Sequence, residues 1–319
     1  GWVKRIGILT RDCAGINACI RAIVRTADSY GIETVGIFRG YEGLINGETK
    51  VFDRRSVSGI INTGGTILKT ARSKRFMTEE GQLKALQTIK DNNLDGLIVV
   101  GGNGSLAAAH LLASKYGVKV IGVPATIDND INGVDFCVGA DTAVNVALDA
   151  LDKIRDTADS LERIFVVEVM GRDCGYIALR VALAGGCEEV IVPERNFDIE
   201  EICEAITEGN IRGKISWIII VAEGKAHAGD VAAKITEITE LETRIVVLGH
   251  IQRGGIPTAG DRILAARYGS AAVEMLKDGK TDKCVALKNM DFIELPLEDA
   301  IKPKDMEVEA YYRLIKVLT

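Results

Sequence analysis

Short apolar runs recur along this chain, each ending in a glycine-rich or charged turn and most leading into an amphipathic segment. They lie at residues 3–9, 34–38, 97–100, 118–123, 163–169, 189–192, 215–221 and 244–248. Runs of this length without polar alternation suit strands buried on both faces, as in parallel sheets covered by helices. Between them apolar residues return at helical spacing, as with Ile20, Ile23, Val24 and Ala27, or Val144, Ala147, Leu148, Leu151 and Ile154 within 141–156. Further helices are expected at 199–206 and 230–238, and from a Thr258 cap to about residue 277. Gly31 suits the C-cap of the first helix. Beyond 277 the tail is charged and less periodic. The pattern predicts an α/β protein whose mainly parallel β-sheets are flanked by helices. A chain of 319 residues, 47% of them hydrophobic, is long enough for two such domains.

Composition excludes several partners. A formal charge of −6 argues against nucleic acid, although local arginine clusters can still hold a small anion. No apolar run approaches the length of a membrane span, and the start does not read as a signal peptide. The 7 cysteines show no C-x-x-C pair and read as reduced thiols of a cytoplasmic protein.

The chemistry should gather where strands end, because open α/β sheets bind ligands at the carboxyl ends of their strands. After the run 118–123 comes Pro124-Ala125-Thr126-Ile127-Asp128-Asn129-Asp130, with two carboxylates flanking an Asn. Such a turn is either simple Asx chemistry or a place where a proton is taken or a cation held. Gly101-Gly102-Asn103-Gly104-Ser105 follows the strand at 97–100 and precedes an Ala-rich helix, the layout of a phosphate loop. Asn62-Thr63-Gly64-Gly65-Thr66 and the basic run Arg72, Lys74, Arg75 before Phe76 read either as an exposed loop or as a polyanion contact. Arg21 and Arg25 lie one helical turn apart, by themselves a solvated basic face. Glu223 and His250 stand at strand ends, and His250 is followed by Arg253-Gly254-Gly255. Many arginines, few histidines and no nucleophile motif suit phosphoryl transfer, which needs positioning, charge neutralisation and one base.

The chain resembles bacterial 6-phosphofructokinases over nearly its whole length. The resemblance is carried by Gly101 to Ser105, Pro124 to Asp130, Asp152-Lys153-Ile154-Arg155-Asp156-Thr157, Val169-Met170-Gly171-Arg172, Ala222-Glu223-Gly224 and Leu248-Gly249-His250-Ile251-Gln252-Arg253-Gly254-Gly255. It implies transfer of the γ-phosphoryl of ATP to the 1-hydroxyl of fructose 6-phosphate, a glycolytic step using Mg²⁺. It implies a nucleotide-binding domain of residues 1–138 plus 251–301, a sugar-phosphate-binding domain of 139–250 plus 302–319, and an active site in the cleft between them. Asp128 would be the base, with Thr126, Asp130 and Arg172 positioning sugar and phosphoryl group. Met170, Gly171, Arg172, Glu223, His250 and Arg253 would line the sugar-phosphate site, and Arg163 and Arg244 would reach a neighbouring subunit's site within a homotetramer. Arg11, Arg72, Phe76, Gly102, Asn103, Gly104 and Ser105 would face the nucleotide, with Asn103 at the metal position. An allosteric site for ADP or phosphoenolpyruvate would use Arg21, Arg25, Arg54, Ser58, Arg155, Glu188, Arg212 and Lys214.

Two departures concern the nucleotide side. The family's first loop reads T-S-G-G-D-x-P-G-M-N, and here it is Thr10-Arg11-Asp12-Cys13-Ala14-Gly15-Ile16-Asn17, two residues shorter. Arg11 would sit where bare backbone meets nucleotide phosphates. The family's G-G-D-G-S holds Mg²⁺ with its Asp, and Asn103 keeps an oxygen there without the charge. A catalytically weakened paralogue serving as a regulatory subunit is therefore the alternative. A pyrophosphate-dependent enzyme is disfavoured, since Gly104 and Ala125 leave room for a nucleotide where those relatives carry Asp and Lys.

Overall fold

The computed structural model describes residues 2–319. In chain order its strands are β1 (Arg5–Thr10), β2 (Glu33–Ile37), β3 (Thr49–Phe52), β4 (Gly96–Gly101), β5 (Val120–Pro124), β6 (Ile164–Val169), β7 (Glu189–Ile191), β8 (Trp217–Ala222), β9 (Thr243–Val247), β10 (Lys283–Lys288) and β11 (Asp291–Pro296). The chain forms two compact units. One comprises residues up to 126 with 130–142 and 253–304; the other comprises 127–129, 143–252 and 305–319.

The first unit is built on a seven-stranded sheet of order β11-β10-β5-β4-β1-β2-β3. Its centre is parallel, and only the edge strands β3 and β11 run antiparallel to their neighbours. Every residue of β4 and β5 is buried, which explains their unbroken apolar sequence. Each Val, Leu or Ile taken out of water there contributes about 1.5–3 kcal/mol, so the centre of this sheet anchors the unit. β1 pairs with β2 on one side and β4 on the other. The direction of winding reverses between β1 and β4, and a crevice opens at their carboxyl ends.

The second unit holds a four-stranded parallel sheet of order β7-β8-β6-β9. β8 is wholly buried, whereas β9 is an edge strand with Arg244, Ile245 and Val247 exposed. Ile164, Val166, Ile219 and Val221 meet Ile202, Ile206, Val231 and Ile235 of the covering helices in one apolar core.

Two elements differ from the sequence reading. The helix expected at 141–156 runs from Ala140 to Leu161. The tail is structured: β10 and β11 form a hairpin pairing Lys288 with Asp291. Its two-residue turn places Asn289 at φ 50° and Met290 at φ 72°, the doubly left-handed geometry that matches strand twist. Methionine is an unusual choice there, so the turn has no sequence signal.

Candidate functional site

In the first unit the chemistry collects at the β1/β4 crevice. The Arg11 N–H donates to the Val100 carbonyl at 3.0 Å, extending the ladder by one residue. Its side chain then crosses Gly101, where an added Cβ would lie 3.1 Å from Arg11 Cγ and 2.8 Å from Ser105 Oγ. Only glycine admits that crossing. The guanidinium reaches the Ala71 carbonyl at 3.4 Å, next to the exposed Arg72. Asn17 fixes the opposite loop: its amide donates to Thr63 Oγ1 at 2.8 Å, and its carbonyl accepts the Ile67 N–H at 2.8 Å. Sequence reasoning assigned Asn17 no role.

Asn103, Gly104 and Ser105 are not loop residues. Gly102 is extended, and the helix Asn103–Tyr116 begins immediately after it. These three residues therefore form the first helical turn, whose backbone N–H groups lack helical partners and favour an anion. Gly104 is exposed with open space around its α-carbon, while Ser105 is buried. The Asn103 amide donates to the Asp130 carbonyl at 3.1 Å, and its Oδ1 is buried without a hydrogen-bond partner. Thr126 is half-buried just after β5. Among the described residues no three His, Cys, Asp or Glu side chains cluster as a metal site. A hard cation would find the orphaned Asn103 Oδ1 here and would take most of its ligands from phosphates and water. That suits Mg²⁺ delivered with a nucleotide. Phe76 does not present a ring to a ligand: it is buried against Tyr41, with ring centroids 4.4 Å apart. The basic run beside it suggested exposure, but the aromatic itself belongs to the core.

In the second unit, Asp128 is 6% exposed. The neighbouring Asn129 takes φ 52°, a conformation Asn tolerates, and this turns the chain between the two carboxylates. Arg172 lies with Nε 3.5 Å from Asp128 Oδ2. Arg172 also sits at φ 52°, an uncommon conformation for a long side chain and a cost the surroundings must offset. Glu223 accepts its backbone N–H at 3.3 Å. Gly224 packs so closely that an added Cβ would lie 1.7 Å from the Arg172 carbonyl oxygen. The ends of β6 and β8 are thus fastened by Glu223 and Gly224. Gln252, 1% exposed, accepts the Met170 N–H at 2.8 Å and ties in the turn Gly249–Arg253. Gln252 was visible in the sequence, but nothing there distinguished a backbone acceptor from its neighbours. His250 is exposed on this turn, and Arg253, counted with the first unit, is exposed as well.

Arg163 and Arg244 meet at the β6/β9 ladder, both paired with Glu242; the Arg244 NH2 contact is 3.0 Å. The eight residues expected at an effector site fall into two groups, one in each unit. In the first, Arg25 donates to the Arg54 carbonyl and to Ser58 Oγ, each at 3.4 Å, and Arg21 lies half-buried one turn away on the same helix. In the second, Arg155 donates to the Gly185 carbonyl at 2.7 Å, and Lys214 pairs with the buried Glu188 at 3.4 Å; Arg212 is exposed close by in sequence. Between Gly186 and Glu188, burial pushes the Cys187 thiol up to about 12, so it stays protonated. Lys316 of the last helix donates to the Glu188 carbonyl at 3.1 Å and to the Glu189 carboxylate at 2.9 Å. No helix among the described residues is long and apolar enough to cross a membrane.

The family model described as "Phosphofructokinase" matches residues 5–276. The ATP-dependent 6-phosphofructokinase of Clostridium tetani (strain Massachusetts / E88) is 49% identical over 319 residues, covering 99% of this chain and 100% of that protein. That of Clostridium acetobutylicum is 49% identical over 312 residues, covering 97% and 98%. Among solved structures, phosphofructokinase from Saccharomyces cerevisiae matches with a TM-score of 0.88 and 33% identity over 93% of this chain. This chain spans 45% of the yeast chain. A pyrophosphate-dependent phosphofructokinase from Marinobacter aquaeolei, at 23% identity and a TM-score of 0.83, shares the fold.

Proposed function

The chain belongs to the phosphofructokinase family, and from that premise we propose that it transfers the γ-phosphoryl of ATP to the 1-hydroxyl of fructose 6-phosphate, giving fructose 1,6-bisphosphate and ADP. The observation that carries this reading is the buried Asp128 carboxylate, held 3.5 Å from a guanidinium whose own backbone is clamped by Glu223 and Gly224. A carboxylate so placed can accept a hydroxyl proton. Arg172 neutralises charge that builds on the transferred group, while Thr126 and Asp130 flank the base in sequence and orient the acceptor. Met170, Gly171, Glu223, His250 and Arg253 receive the sugar, with Arg163 and Arg244 serving its phosphate in a homotetramer.

The donor sits at the β1/β4 crevice of the first unit, which serves as the nucleotide domain. The N–H groups from Gly102 to Ser105 cradle its phosphates, and Arg11 and Arg72 neutralise them. Mg²⁺, when bound with ATP, supplies further neutralisation of phosphate charge, and Asn103 Oδ1 is the chain's ligand for it. Open space at Gly104 and the small Ala125 favour a nucleotide over pyrophosphate. The names of the Clostridium relatives agree with ATP as donor. Each arginine group serves as an anion contact for an effector, ADP or phosphoenolpyruvate, and the protein works in the cytoplasm, where its thiols stay reduced. An assay of ADP release with ATP, Mg²⁺ and fructose 6-phosphate tests the reading; no turnover above background would end it. One observation favours the alternative of a regulatory paralogue. Arg11 covers Gly101, and the Asn103 amide is committed to Asp130, so the nucleotide side carries less negative charge than an Asp at 103 would give.

A further inference from the structure

Glu242 is the residue immediately before β9, and Arg163 is the residue immediately before β6. The ladder pairs Ile164 with Thr243 and Phe165 with Arg244. Glu242 and Arg163 therefore face each other across the start of two parallel strands, and Arg244 lies two residues beyond Glu242. One carboxylate oxygen, Glu242 Oε1, forms ion pairs with both guanidiniums, lying against NH1 of Arg163 and NH2 of Arg244. The Arg163 side chain is 24% exposed, and its Nε and NH1 are buried without a hydrogen-bond partner. Glu242 and Arg244 are more open, at 57% and 53%. The cluster carries two positive charges and one negative charge, all at the free edge of the sheet.

A phosphate dianion drawn to both arginines would meet the Glu242 carboxylate beside them, a like charge that opposes it. Each guanidinium keeps further N–H donors, so the competition is over charge and orientation rather than over every donor. We propose that Glu242 is a positioning residue that holds Arg163 and Arg244 together and competes with the sugar phosphate for them, setting the affinity for fructose 6-phosphate. The inference rests on the reading that these two arginines hold the substrate's phosphate. Glu242 does not touch the reacting atoms, so its effect falls on binding. Because Glu242 and Arg244 are more than half exposed, the competition is modest and weakens with salt.

The test uses the full chain with fructose 6-phosphate as the varied substrate. In Glu242→Gln the KM for fructose 6-phosphate should fall about threefold, the scale of one exposed ion pair, with kcat changing less than twofold. Inorganic phosphate should inhibit this variant at correspondingly lower concentration. Glu242→Asp, which keeps the charge, should return KM toward the wild-type value, a rescue that a packing role would not give. At high ionic strength the gap between Glu242→Gln and wild type should close. An unchanged or raised KM in Glu242→Gln, with Arg163→Ala and Arg244→Ala each raising KM, overturns the competition and leaves the substrate assignment standing. If the two alanine variants leave KM unmoved, the substrate assignment fails and the proposal falls with it.

Discussion

Replacing Asp128 by Asn is the most direct probe of the proposed chemistry. Asn keeps the shape of the side chain but removes the proton acceptor and the negative charge facing Arg172 at 3.5 Å. The two effects separate in magnitude. Arg172 has a side chain 68% exposed, so once unpaired its guanidinium stays solvated, and the stability cost should be about 1 kcal/mol or less. Loss of a positioned general base typically removes about 10²–10⁴-fold of rate, equivalent to about 2.7–5.5 kcal/mol of barrier. The variant should therefore fold as the wild type does, bind fructose 6-phosphate with little change, and turn over at least about a hundredfold more slowly. ADP release coupled to NADH oxidation reads the rate, and calorimetric titration with fructose 6-phosphate reads the binding. A folded Asp128→Asn protein within tenfold of wild-type kcat would refute the base assignment. Wild-type protein no faster than the variant would mean a silent site, and the regulatory reading would then win.

Arg172 offers a backbone test: Arg172→Gly should melt above Arg172→Ala, because glycine takes φ 52° without a Cβ penalty, while both variants lose activity; equal melting temperatures would remove the strain argument. Asn103→Asp should lower the Mg²⁺ concentration needed for half-maximal activity, and Mg²⁺ should raise its melting temperature more than it raises that of the wild type, as thermal scans with and without the ion will show. Asp261, 1% exposed, has a carboxyl pKa raised by burial, although the Gly139 and Thr142 N–H groups and the Thr142 hydroxyl oppose that rise. A carboxyl raised in the folded state contributes stability that is full below its unfolded value and is lost as pH rises through the folded one. The melting temperature of the wild type relative to Asp261→Asn should therefore fall from about pH 4 upward, and a difference that grows instead would contradict the assigned direction. Arg25→Ala and Arg155→Ala should each abolish the response to ADP or phosphoenolpyruvate in kinetics at low fructose 6-phosphate while leaving the uneffected rate intact; a retained response in both would dissolve the effector assignment.

What the sequence revealed depended on how local each signal is. β4 and β5 were legible because a strand buried on both faces must be apolar throughout, and the acidic turn after β5 follows from where such a strand ends. Arg21 and Arg25 were legible as a pair because helical spacing alone puts them on one side. Other features depend on pairing between distant segments. Glu223 meets the Arg172 backbone across 51 positions, and Gln252 meets Met170 across 82, contacts that exist only once β6, β8 and the turn after β9 are in register. Glu242 gains its place only when the β6/β9 ladder sets it opposite Arg163. Asn103 shows how the two kinds of information combine. From the sequence it is an Asp position lacking its charge. In the structure its amide donates to the Asp130 carbonyl, which a carboxylate cannot do. An Asp at this position would place negative charge against that carbonyl oxygen unless a cation stood between them. Asn instead holds the Asp130 turn to the start of the helix Asn103–Tyr116 without metal, leaving Oδ1 unpartnered for a cation that arrives with its phosphates.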